Sequence, residues 1–169
     1  RNMRMRAYAD TDPSCRCCRR APEKFRHLAQ CRVLNRLWRE WAALVTLCGH
    51  HVTVTERLIF LGMLSDDHVI GGAVSAFHII TWKFVVLHFT QVDTDGRRFN
   101  PQQVLTAAVR RFSVRAESYA YKEKLRYQRA TRQNRTPPDP RTYCKILAPF
   151  AWLNANGTLK WHTKFPING

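Results

Sequence analysis

The chain has 169 residues, 45% of them hydrophobic and five of them Trp, enough apolar content for one domain with a real core and too much for wholesale disorder. Its 28 Lys and Arg against 12 Asp and Glu give a net charge of +16 and a pI near 10.4, which points to a polyanionic partner, nucleic acid before an anionic membrane or an acidic protein. Four of the six cysteines crowd into residues 15–31, Cys17 and Cys18 are adjacent, and no secretory signal peptide is legible ahead of them. This arrangement fits metal ligation in a reducing intracellular compartment, cytoplasm or nucleus, better than a secreted disulfide framework.

Taken in order, residues 1–14 read as a basic strand or short helix followed by a turn at Asp12-Pro13-Ser14. Tyr8-Ala9-Asp10 superficially resembles a polymerase Tyr-x-Asp-Asp, but Thr11 stands in place of the second carboxylate, so no catalytic role follows. Phe25, Leu28, Leu34, Leu37, Trp38, Trp41, Leu44 and Val45 recur at helical steps and predict an amphipathic helix over 23–47, opened by Pro22 and closed at Gly49. Thr53-Val-Thr-Glu56 has capping-box spacing and predicts a short helix running to Leu64, with a turn at Ser65-Asp-Asp-His68.

Residues 69–90 are strongly apolar. Their length is marginal for a membrane span and they contain His78, Lys83 and His88, so a buried core helix is expected, with a strand pair as the alternative. Asp93-Thr-Asp-Gly96 reads as a loop, and Asn100-Pro101 as the cap and first residue of a second long amphipathic helix. Beyond Tyr119 that helix turns aromatic and basic, and residues 120–136 are expected to extend into solvent until the prolines at 137, 138 and 140 end it. Residues beyond 140 leave a small hairpin and an irregular tail both open. The fold expected is mainly α, a small zinc-stabilised turn packed on a helical bundle with a basic, flexible C-terminal extension. Its parts would be residues 1–48 (zinc-binding turn and amphipathic helix), 49–125 (helical core) and 126–169 (basic linker and tail).

The chemistry concentrates at C-x2-C-x8-H-x3-C, formed by Cys15, Cys18, His27 and Cys31. Thiolates and imidazole at this spacing suit one Zn2+, and a closed set of ligands leaves no position for a substrate water, so the metal would be structural. His27 and Cys31, four apart, would project from one helix face. Cys17 is a possible substitute ligand. A catalytic thiol, favoured by Arg16, Arg19 and Arg20 nearby, competes poorly because ligation consumes the same residues. No polymerase or nuclease carboxylate set is legible, so no enzyme is expected of this chain. His50, His51, His68, His78 and His88 share no spacing and read as capping, core or surface groups.

The run Cys15-x-x-Cys18, Glu23-Lys-Phe-Arg-His27-Leu28, Cys31 and then hydrophobics leading to Trp38 resembles the zinc-binding region that follows the polymerase and thumb in non-LTR (LINE-like) retrotransposon reverse transcriptases. Ile79-Ile-Thr-Trp82-Lys83 is similar to the apolar helix with a Trp-Lys end found downstream in many members. The resemblance covers residues 1–125. It implies a parent RNA-directed DNA polymerase whose upstream polymerase domain is a partner, with this region holding template RNA or target DNA. The chain departs from the pattern in three places: members commonly have one residue more between the His and the last Cys, Phe84-Val85 stand where Arg-Asn is usual, and Cys17 replaces an acidic or polar residue.

Two basic blocks frame the apolar centre. Residues 1–39 hold eleven Lys or Arg against three acids, and residues 110–135 hold nine against two. Arg16, Arg19, Arg20, Arg26, Arg32 and Arg36 in the first, and Lys122, Lys124, Arg126 and Arg129 in the second, are the candidate phosphate contacts. Tyr119, Tyr121 and Tyr127 either stack on unpaired bases or pack internally. The competing reading is a zinc-stabilised interaction domain that docks on a polymerase core without touching nucleic acid.

Overall fold

The computed structural model describes residues 13–62, 72–136, 147–153 and 158–166. Among them are five helices, α1 (Phe25–Gln30), α2 (Arg32–Leu47), α3 (Glu56–Leu61), α4 (Gly72–Asp95) and α5 (Pro101–Arg132), and two short strands, β1 (Ala151–Leu153) and β2 (Leu159–Trp161). The architecture is mainly helical, with the Cys/His loop packed on the helices.

The single helix expected over 23–47 is two helices. Cys31 adopts an extended conformation (φ −62°, ψ 118°), which ends α1 and starts α2. The Asn35 amide bridges the break by donating to the Ala29 carbonyl at 2.8 Å. Periodicity could not register this break, because the apolar steps resume in phase on its far side. The amphipathic stripe of α2 does what the pattern requires: Leu34, Leu37, Trp38, Trp41 and Val45 are buried, and Gly49 leaves the helix in the left-handed region (φ 94°).

The cap of α3 is Thr55, whose hydroxyl accepts from the Leu58 N–H at 3.1 Å, so the helix begins two residues later than a box on Thr53 would place it. It ends at Gly62 in the left-handed region (φ 65°), and the turn expected at 65–68 lies outside the described residues.

Residues 72–95 are one helix, which excludes the strand-pair alternative there. α4 is apolar around its whole circumference, and by length and composition it could cross a membrane. One face (Ala73, Val74, Phe77, Ile80, Val85, Phe89) is buried against α5 and α2, while Ile79, Val86 and Leu87 on the other stay exposed, so only half of it is core. α5 begins as its sequence dictates. The Asn100 side chain accepts from the N–H groups of Gln102 and Gln103 at 3.0 and 3.3 Å, and Pro101 occupies the first turn. Val104, Ala108, Phe112 and Ala116 bury its first half, but Ala120 and Glu123 are buried too, so the solvated stretch expected from residue 120 begins only after Glu123, and the helix ends at Arg132, short of the prolines.

Residues 147–153 and 158–166 pack as part of the core. β1 and β2 pair antiparallel, Ala151 opposite Trp161 and Leu153 opposite Leu159. They carry Phe150 and Phe165 into the core, where both rings contact Phe77 and Phe112 at centroid distances of 5.0–5.9 Å. The linker boundary expected at residue 126 therefore does not separate residues 147–153 and 158–166 from the core.

Candidate metal centre

The loop before α1 is a tight hairpin-like knuckle. Ser14 and Pro22 form an antiparallel bridge, the Cys15 N–H donates to the Ala21 carbonyl at 2.7 Å, and the Arg19 N–H donates to the Cys15 carbonyl at 2.7 Å. Arg19 takes a left-handed conformation (φ 54°), which turns the chain back after Cys18. Cys15 and Cys18 thus face one direction from a short turn, and α1 brings His27 alongside.

Cys31 arrives by a different route from the one its spacing implied. The helix break places it on no helical face with His27, yet the extended residue still turns its thiol into the cluster. One ligand atom from each of Cys15, Cys18, His27 and Cys31 lies within 4.8 Å of every other. Cys15 Sγ and Cys31 Sγ are 3.9 Å apart, and Cys18 Sγ is 3.3 Å from His27 Nε2. A tetrahedral ion with bond lengths near 2.0–2.3 Å has donor–donor edges of about 3.5–3.8 Å, close to both distances. The group could hold a metal ion. Cys15 and Cys31 are buried and Cys18 and His27 half-buried, so the cluster is sealed on one side by the α2 core.

Cys17 stands outside this set of four. Its neighbours Cys15 and Cys31, and then burial, push its thiol far up and keep it protonated. Cys15 first and Cys17 next hold the Cys31 thiol down to about 3, helped by the Leu34 and Val33 N–H groups at the start of α2 and opposed by burial. Of two adjacent thiols, the one that lines up with imidazole is Cys18.

Two residues named in the sequence for other reasons, Arg16 as a phosphate contact and Glu23 within the Glu23–Leu28 run, hold the knuckle. Glu23 is fully buried. Its carboxylate accepts the Arg16 backbone N–H at 3.0 Å and the Arg16 guanidinium through Nε (2.9 and 3.1 Å) and Nη2. Arg16 Nη1 reaches Asp93 at the end of α4 at 3.1 Å, and its guanidinium lies 4.3 Å from the Phe89 ring centroid. Burial opposes the Arg16 charge, but Glu23 and Asp93 outweigh it and its pKa is raised. The legible signal was Glu23, one of three acids among eleven basic residues in 1–39 and placed just before a helix. Nothing in the spacing points to Asp93, 77 residues from Arg16.

The expected phosphate contacts divide accordingly. Arg16 is an internal strut and presents no free charge to a ligand. Arg19 is exposed but donates to the Gly96 carbonyl at 3.2 Å. Arg20, Arg26 and Arg32 are exposed beside the cluster, and Arg36 is exposed and paired with Glu40 at 2.9 Å. On α5, Lys122, Lys124 and Arg129 are exposed, and Arg126 pairs with the buried Glu123 at 2.7 Å. Tyr119 packs against Ala116, Leu147 and Ala151, whereas Tyr121 and Tyr127 are exposed.

No family model, no curated protein and no solved structure matches the chain.

Proposed function

We propose that the chain is a nucleic-acid-binding module pinned by one structural zinc ion, of the kind found in the reverse transcriptases of LINE-like retroelements, and that it contacts template RNA or target DNA. The observation that carries the reading is the convergence of three thiols and one imidazole, at distances a tetrahedral ion requires, directly beside exposed Arg20, Arg26 and Arg32. Zinc suits the site because soft thiolates and an imidazole in a closed tetrahedral set are its preferred structural ligands. With every donor supplied by protein, the ion folds the knuckle and does no chemistry. Lys122, Lys124 and Arg129 on the exposed half of α5 supply a second basic face, with Tyr121 and Tyr127 available to stack on unpaired bases.

Two measurements test the reading. Elemental analysis of the purified chain is expected to give one zinc per molecule, and removal of the metal is expected to unfold the knuckle; a metal-free chain with unchanged fold overturns the structural role. Single-stranded RNA is expected to be retarded in a gel at about 50 mM salt and largely released at about 200 mM. No retardation at the lower salt overturns nucleic-acid binding.

A further inference from the structure

The face of α4 turned away from the core is half of an open groove of about 610 Å³, and Phe60 and Leu61 of α3 form its other wall. Leu61, Ile79, Val86 and Leu87 are each between 51% and 64% exposed along it. Four large apolar side chains left this open on adjoining helices form a patch of the kind that marks an interaction site.

The floor is already satisfied. The Trp82 indole N–H donates to the Ile59 carbonyl, His78 Nε2 donates to the same oxygen at 3.2 Å, and Phe60 stacks on Trp82 at a centroid distance of 5.7 Å. With those donors already used, the floor offers a small polar ligand little to recognise. Among the described residues lining the groove, Lys83 alone carries a charge: His78 is buried and held neutral by desolvation.

Ile79, Trp82, Val86 and Leu87 are spaced as one side of a helix over about two turns, roughly 12 Å of axis. The complement of such a groove is the apolar stripe of another helix, with anchors at i, i+3 or i+4, and i+7. Lys83, set among apolar side chains, calls for an acidic group on that helix, and the +16 chain steers acidic partners toward it. A second copy of the chain fits poorly, since an isologous contact centred on this face brings two Lys83 ammoniums together. A bilayer takes up a convex apolar helix face, whereas this surface is walled by two helices.

We propose that the α3–α4 groove docks an amphipathic helix of a partner protein, with its apolar stripe seated against Ile79, Val86 and Leu87 and an acidic side chain paired with Lys83. This site is separate from the nucleic-acid reading and stands or falls without it. The test pans a library of 18-residue peptides, apolar at helical spacing and free elsewhere, on the full chain, and then measures the enriched peptides by fluorescence anisotropy. Binders are expected to carry Asp or Glu beside the apolar stripe and to lose at least tenfold in affinity to Val86→Glu. Lys83→Glu is expected to switch the preference to peptides that carry Lys. Both substitutions are at exposed positions, and an unchanged far-UV spectrum checks that the fold survives. Enriched peptides without an acid, or none sensitive to Val86→Glu, overturn the proposal. So does self-association that Val86→Glu abolishes in sedimentation equilibrium, or a Val86-dependent partition onto phosphatidylcholine/phosphatidylserine vesicles.

Discussion

Glu23 ties the knuckle together through the backbone and side chain of Arg16. A buried carboxylate is costly unless its lone pairs are filled, and here a backbone N–H and a guanidinium fill them. Removing its charge leaves the half-buried Arg16 with Asp93 as its one remaining carboxylate partner among the described residues. Glu23→Gln is therefore expected to destabilise the metal-loaded protein by about 3 kcal/mol or more, read as a lower urea midpoint at an unchanged slope. His78 makes the opposite kind of demand. Desolvation holds its pKa below the usual histidine value near 6.5 in the folded state, so the unfolded chain binds a proton before the folded one does. Its contribution to stability is full above about pH 6.5 and is lost as the pH falls toward the folded value. Unfolding midpoints compared between about pH 7.5 and 5.5 should fall more for the parent chain than for His78→Gln, the difference isolating this residue from protonation of the Cys/His cluster.

At the scale of elements, the knuckle and the helix break decide which thiols come together with His27. Cys18→Ser is expected to lose bound metal and Cys17→Ser to retain it, measured by elemental analysis after dialysis, because Cys18 lies 3.3 Å from His27 and Cys17 stands outside the set. Equal loss in both would make Cys17 a ligand. α5 depends on its cap for a different reason: it is long, and its second half buries little. The Asn100 side chain satisfies two N–H groups at its start, so Asn100→Ala is expected to cost about 1 kcal/mol of global stability in chemical denaturation, while Thr106→Ala, an exposed interior change, costs within about 0.5 kcal/mol.

On the whole-molecule scale the charge is divided between inward and outward use. Arg16 is spent on the fold, whereas Lys122, Lys124 and Arg129 stand on the half of α5 that has little core to hold. Alanine at those three positions together is expected to leave the melting temperature unchanged and to weaken single-stranded RNA binding. It should also flatten the dependence of log K on log salt by about 2, since each lost phosphate contact removes about 0.7 from the slope. An unchanged slope would place the RNA elsewhere. The helical class, the stripe of α2, the Asn100 cap and the Cys/His group that could hold a metal ion were legible in the chain itself, because helical period, capping chemistry and ligand type are local properties written in neighbouring residues. The break at Cys31, the Arg16–Glu23–Asp93 strut, the docking of Phe150 and Phe165 against Phe77, and the split of α4 into a buried and an open face were not. Each depends on what lies across space from a residue, and an apolar pattern says that a side chain wants burial without saying which surface supplies it. The sequence by itself determined which groups could bind a metal and which segments could be helices; the tertiary structure decided which arginine is strut and which is surface, because only a folded chain brings residue 16 against residue 93.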